Sequence, residues 1–244
     1  MSPKAFIVRD LGRASYDQAY ALQDEANRRV QEAREGAKAG DPFGELLLVE
    51  HDPVVTLTKR PGAPDHVLLP EDELARRGVQ LRQTDRGGDV TYHGPGQLVA
   101  YPVLDLKRLG LGVHDYVRTL EGAIIDALAP FGVEARRDPG ATGVWAEHDG
   151  QLAKVAAIGV RVRRWVTMHG LAINVSPDLS HFALIVPCGL HDRPVTSLAQ
   201  MLGGKCPSMD EVKGALVRAL DERLISAGAR VRQGASPSSG SGVG

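Results

Sequence analysis

The uninterrupted apolar run Leu46-Leu47-Leu48-Val49, within residues 45–50, constrains this chain more than any other feature. Alternate side chains of a half-exposed strand meet water, so a run of this kind reads instead as a buried strand. Helical segments flank it in the sequence. Ser15-Tyr16-Asp17-Gln18 forms a capping box, and good helix formers follow until Gly36, which predicts a helix over 16–35. Val113, Val117, Leu120, Ile124 and Leu128 recur at helical spacing over 113–128. Pro70 and Gly78 bracket a short helix over 70–77, and a second capping box, Ser208 to Glu211, opens a helix to about residue 225.

Further strands are expected at 6–9, 79–83, 98–104, 133–136, 143–145, 154–162, 165–169 and 171–175. Residues 54–58 should continue the sheet after Pro53 breaks it, and Asp149-Gly150 signals a hairpin turn before Lys154. Strands and helices mixed without strict alternation, and with no internal repeat, predict an α+β fold: a mixed β-sheet flanked by helices. One domain is expected over 1–232. Residues 233–244 are almost all Gly, Ser, Ala and Pro, a composition predicted to stay disordered.

Composition narrows the function classes. Lys plus Arg is 29 against 30 for Asp plus Glu, so charge gives no general reason to expect a nucleic-acid partner. The N-terminus lacks a secretory core and no long apolar stretch exists, so a soluble, cytoplasmic protein is expected. Cys188 and Cys206 are too few for a disulfide scaffold and read as free thiols. Neither HExxH nor CxxC occurs, so no metal site is expected.

The densest polar segment is Arg86-Gly87-Gly88-Asp89-Val90-Thr91-Tyr92-His93-Gly94-Pro95-Gly96-Gln97. Its glycines let the backbone approach a ligand, and its side chains offer donors around it. A tight hairpin loop is the plain alternative, but a turn does not need so many polar groups; without Gly-Lys-Ser/Thr it is no phosphate loop either. Lys154 opens the apolar stretch Lys154-Val155-Ala156-Ala157-Ile158-Gly159. It reads either as a strand-end lysine reaching to solvent or as a desolvated amine able to act as a general base. Cys188, between Pro187 and Gly189, is either an inert core thiol or one presented on a rigid bend; Cys206 competes as nucleophile because Lys205 adjoins it. His93 and His169 lie in glycine-rich segments and are candidates for proton handling. His181 and His191 flank the Cys188 region as loop residues. Arg161, Arg163 and Arg164 form either a solvated outer face or a docking patch for an acidic partner.

Taken together, these segments resemble the lipoyl(octanoyl) transferase family. The match runs through Arg86 to Tyr101, then the stretch from Lys154, then His169-Gly170-Leu171-Ala172-Ile173-Asn174, Pro187-Cys188-Gly189 and Thr196-Ser197-Leu198, in that order. The resemblance implies Cys188 as nucleophile and Lys154 as its partner, while Cys206 matches nothing. It implies the fold of the catalytic domain of lipoate and biotin protein ligases. It also places Arg86, Gly87, Gly88, Asp89, Val90, Thr91, Tyr92, His93, Ala157, Ile158, Gly159, Gly170, Leu171 and Ala172 at the acyl pocket. No cofactor is implied. The implied donor is octanoyl-acyl carrier protein. The implied acceptors are lipoyl domains, as in the glycine cleavage H protein and the E2 subunits of 2-oxoacid dehydrogenases. An ATP-dependent lipoate or biotin ligase of the same fold and a non-catalytic acyl-carrier-binding module are the alternatives, and neither needs a reactive Cys188.

Overall fold

The computed structural model describes residues 4–186 and 193–234. Among them, seven strands form one mixed sheet in the order β1-β2-β6-β10-β9-β8-β7. These are β1 (Ile7–Ala14), β2 (Gly44–His51), β6 (Gln97–Leu104), β10 (Val166–Asn174), β9 (Gln151–Arg163), β8 (Ala141–His148) and β7 (Ala135–Asp138). Only β1 and β2 pair in parallel; the remaining neighbours are antiparallel. A separate three-stranded sheet holds β3 (Val54–Thr58) between β4 (Gln80–Thr84) and β5 (Thr91–His93). Residues 54–58 therefore do not continue the main sheet. The chain turns away at Asp52-Pro53, and β3 takes β4 and β5 as partners instead.

The run in β2 is buried because helices cover both faces. Leu46 and Leu48 join the largest core cluster with Leu98, Tyr116, Leu120, Ile124, Leu216 and Leu220, against α4 (Val113–Leu128) and α6 (Met209–Gly234). Leu47 and Val49 point the other way, to Ala19 of α1 (Tyr16–Ala33), with Val99, Tyr101 and Ala172. The capping box of α1 forms as expected: Gln18 N–H donates to Ser15 Oγ at 3.3 Å, and Ser15 N–H to Gln18 Oε1 at 3.1 Å. The small sheet has its own core, including Val55, Val90, Tyr92, Phe182 and Leu184, closed by Leu74 of α2 (Glu71–Arg76).

Several boundaries differ from expectation for local reasons. The segments 165–169 and 171–175 merge into one continuous strand, Val166–Asn174, which keeps its register with β9 through His169 although that residue has a φ of +58°. α6 runs on to Gly234, beyond 225; Gly228, where a Cβ would stand 2.8 Å from the Phe43 ring, lets the helix pass that side chain. Residues 233 and 234, expected in the tail, are thus helical, while 235–244 lie outside the described residues. Two short helices carry little sequence periodicity: α3 (Leu106–Leu109), capped by Asp105, and α5 (Leu198–Leu202), capped by Ser197. No described helix is long and apolar enough to cross a membrane.

Candidate active site

The polar glycine-rich segment is pinned over the main sheet rather than looping away. Gly87 N–H donates to Val160 O of β9 at 2.8 Å. Arg86 reaches under β3, donating to Thr56 O at 3.1 Å and Thr56 Oγ1 at 2.9 Å. Gly159 lets the two segments approach closely, since a Cβ there would lie 3.0 Å from both Arg86 Cδ and Gly87 O. Farther along, buried Asp89 accepts from His66 Nδ1 at 3.0 Å to each oxygen and from Val90 N–H at 2.8 Å. One carboxylate thereby fastens the segment to the turn at residues 63–66.

Between this segment and the sheet lies a narrow cleft of about 50 Å³. Small residues pave its floor in register: Ala172 pairs with Ala157 and Val99, and Gly170 with Gly159. Tyr16 and Tyr101 wall it together with His93 and His169. The hydrogen bonds fix the histidine tautomers. His51, behind the wall, donates from Nδ1 to Ala14 O at 3.0 Å, so Nε2 accepts from the Tyr101 hydroxyl at 2.7 Å. His93 donates from Nδ1 to Gln97 Oε1 at 2.6 Å, because the Gln97 amide nitrogen is committed to Asn174 Oδ1 and Tyr92 O. His169 donates from Nε2 to Asp85 Oδ1 at 2.9 Å. Burial pushes the pKa of His51 down to about 4 and that of His93 to about 3. For His169 burial, aided by the Arg86 and Arg161 charges, brings it to about 3. Imidazoles this reluctant to protonate are uncharged at neutral pH, and both His93 and His169 border the cleft as neutral hydrogen-bonding groups.

Lys154 owes its placement to a bulge. Val144 pairs with Ala156 but Trp145 pairs with Lys154, leaving Val155 as the extra residue. Val155 and Ala156 both enter the core beneath the helices, which turns Lys154 to the opposite face, that of the cleft. There Lys154 is 7% exposed, with Nζ 4.7 Å from the centre of the Trp145 ring. Gly143 lies beside the lysine stem, where a Cβ would be 3.4 Å from Lys154 Cε but only 2.7 Å from Ala156 O. The lysine backbone also holds the returning chain, donating to Pro194 O at 2.8 Å and accepting from Thr196 N–H at 2.9 Å. Arg193 caps the same Trp145 ring at 5.1 Å and pairs with Asp138.

The lipoyl protein ligase A/B catalytic-domain model matches residues 15–221. A relative from Chloroflexus aggregans named octanoyltransferase is 48% identical over 218 residues, 89% of this chain and 94% of its own. One of the same name from Geobacter metallireducens is 46% identical over 221 residues, with 89% and 95% covered. The chain belongs to the octanoyltransferase family. Its class is accordingly that of an acyltransferase. A bipartite lipoate protein ligase of Thermoplasma acidophilum superposes with a TM-score of 0.68 at 19% identity, covering 94% of this chain and 92% of that one, which shows the shared fold.

Of the residues that the octanoyltransferase resemblance placed at the pocket, most border this cleft: Arg86, residues 88–91, His93, 157–159 and 170–172. Gly87 and Tyr92 do not. Gly87 is spent on the Val160 bond, and Tyr92 packs into the small-sheet core with its hydroxyl bonded to His181 Nδ1 at 2.7 Å. His181 is therefore engaged with the fold rather than loose on the surface. Cys188 and His191 lie outside the described residues. Cys206 is placed: its thiol donates to Pro207 O at 3.5 Å and Val175 O at 3.8 Å, and burial pushes its pKa up, the opposite of thiolate activation. Arg161 pairs with Asp85 and is only half of a patch, whereas Arg163 and Arg164 are exposed. Sequence reasoning missed Tyr16, Tyr101, His51 and Asp85. Tyr101 closed the recognised motif and was within reach; Tyr16 and His51 arrive from distant strands and helices with no local signal.

Proposed function

We propose that this chain transfers the octanoyl group of octanoyl-acyl carrier protein to a lysine of lipoyl domains, in the cytoplasm, as the first step of protein lipoylation. Arg86, residues 88–91, His93, 157–159 and 170–172 would hold the acyl chain, Gly87 and Tyr92 would support them from behind, and Cys188 and Lys154 would carry the chemistry. The observation that carries the reading is Lys154. It is a buried amine on the cleft face, and its backbone binds residues 194–196, into which the segment bearing Cys188 runs. The names of the relatives support the group transferred.

In the first half-reaction the Lys154 amine takes the Cys188 proton. The thiolate attacks the thioester carbonyl; the new C–S bond forms as the bond to the pantetheine sulfur breaks, and that sulfur leaves with the proton. One thioester replaces another, so no ATP is consumed. In the second, the acceptor lysine nitrogen attacks the acyl-enzyme, the C–S bond to Cys188 breaks, and the proton that the nitrogen gives up passes by way of Lys154 to the departing Cys188 sulfur. Amide formation from a thioester is downhill and drives the sequence. Six buried methylenes at ~0.8 kcal/mol each contribute about 5 kcal/mol towards seating the chain, which favours octanoyl over short acyl groups.

The test is to mix the protein with octanoyl-carrier protein, without ATP or acceptor, and weigh it. A hydroxylamine-sensitive octanoyl adduct on Cys188 is expected, transferable to an added lipoyl domain. It should vanish in Cys188→Ser and persist in Cys206→Ser. Modification only with free acid and ATP would identify a ligase instead, and carrier binding without any adduct a binding module.

A further inference from the structure

We infer that the crossing of residues 85–87 over β9, locked by Arg161, is the stop that sets how long an acyl chain the cleft admits. The inference rests on the octanoyl-transfer reading and names the specificity determinant of that site. Lys154 lies on the cleft face of β9, three residues before Ala157, where that strand begins to border the cleft. The floor continues along β9 through Ala157 and Gly159, and there the chain bars it: Gly87 N–H bonds to Val160 O, and Arg86 and Gly87 rest on Gly159. No residue of β9 beyond Gly159, and none of β10 before His169, borders the cleft.

The bar is anchored by charge. Asp85 accepts from His169 Nε2 and pairs with Arg161, the next residue on that face of β9 beyond Gly159. Tyr20 OH adds a 3.4 Å contact to Asp85. A longer chain would have to lift the backbone from Val160 and push into an ion pair, whereas a hydrocarbon terminus gains nothing from charged groups.

The dimensions agree. Lys154 to Gly159 is five residues of strand, at most about 16 Å at the usual rise. Seven carbon–carbon bonds of ~1.5 Å, bent near tetrahedral, give an extended octanoyl chain of about 9 Å. An extended octanoyl chain therefore fits within that span, and the position of the bar decides how much longer a chain can be.

The test offers wild type, Arg161→Ala and Asp85→Asn an equimolar mixture of hexanoyl, octanoyl, decanoyl and dodecanoyl carrier protein, and reads the adducts by mass. Wild type should take octanoyl over decanoyl. Arg161→Ala should raise the decanoyl-to-octanoyl ratio about tenfold, the factor expected when two more methylenes are admitted. Asp85→Asn, which keeps the shape and removes the charge, should shift it in the same direction by less. Thermal melts of both variants establish that they are folded. Wild type without any adduct would overturn the octanoyl-transfer reading itself. Wild type acylated, with both folded variants keeping its chain-length profile or losing all lengths by one factor, would overturn the stop alone.

Discussion

At the scale of single residues, the histidines at and behind the cleft are kept neutral by their surroundings. His51, His93 and His169 have pKa values near 4, 3 and 3, below the ordinary ~6.5 of the unfolded chain. Below about pH 6.5 the unfolded state therefore binds protons that the folded state refuses. Stability is full above that pH and falls as pH drops towards 4, by about 2 kcal/mol per histidine at pH 5. Paired Glu45, whose pKa the Arg29 hydrogen bond lowers, adds a loss only below its ordinary 4.5. The melting temperature should decline between pH 6.5 and 5, and His51→Gln should make that decline shallower. An unchanged slope in the variant would assign the acid sensitivity elsewhere. None of this was legible in the sequence. His93 and His169 stood out there as proton carriers because they adjoin glycines, and only the strands that bury them show why they stay neutral.

Among the elements, β9 shows what sequence periodicity can and cannot deliver. The apolar stretch after Lys154 marks a strand, and Asp149-Gly150 marks its turn, where φ is +49° and +73° as a tight hairpin requires. The bulge at Val155 is invisible locally, because it exists only against β8, yet it decides which face Lys154 takes. Gly143 is its counterpart, at φ +125° with the Lys154 stem beside it. Gly143→Ala would set a Cβ 2.7 Å from Ala156 O, in a conformation costing about 1–3 kcal/mol. The expected result is a lowered melting temperature and octanoyl transfer reduced more than the stability loss explains. Gly150→Ala is the control, with positive φ but open space around the added carbon. If both variants lost activity in proportion to stability, Gly143 would be a backbone position and nothing more.

For the whole molecule, the sheet covered on both faces was foreshadowed by Leu46–Val49, whereas the split into two sheets was not, since pairing partners far apart in sequence decide it. The same topology bears on where the proposed acidic carrier would dock. Arg163 and Arg164 are exposed at the turn between β9 and β10, beside Trp165 at 52% exposure, and by charge alone they invite such a partner. They stand nine residues along β9 from Lys154, about 30 Å of strand, with the bar of residues 85–87 between. A carrier seated there would deliver its thioester to the closed end of the cleft. Reversing both arginines to Glu should therefore leave the KM for octanoyl-carrier protein within about twofold of wild type at low ionic strength, where attraction reaches beyond ~10 Å. The measurement is a pair of titrations, with octanoyl-carrier protein and with a short octanoyl thioester, repeated at high salt. A large rise in KM for the carrier alone, abolished by salt, would put the carrier at the hairpin and demand a route for its arm around the bar.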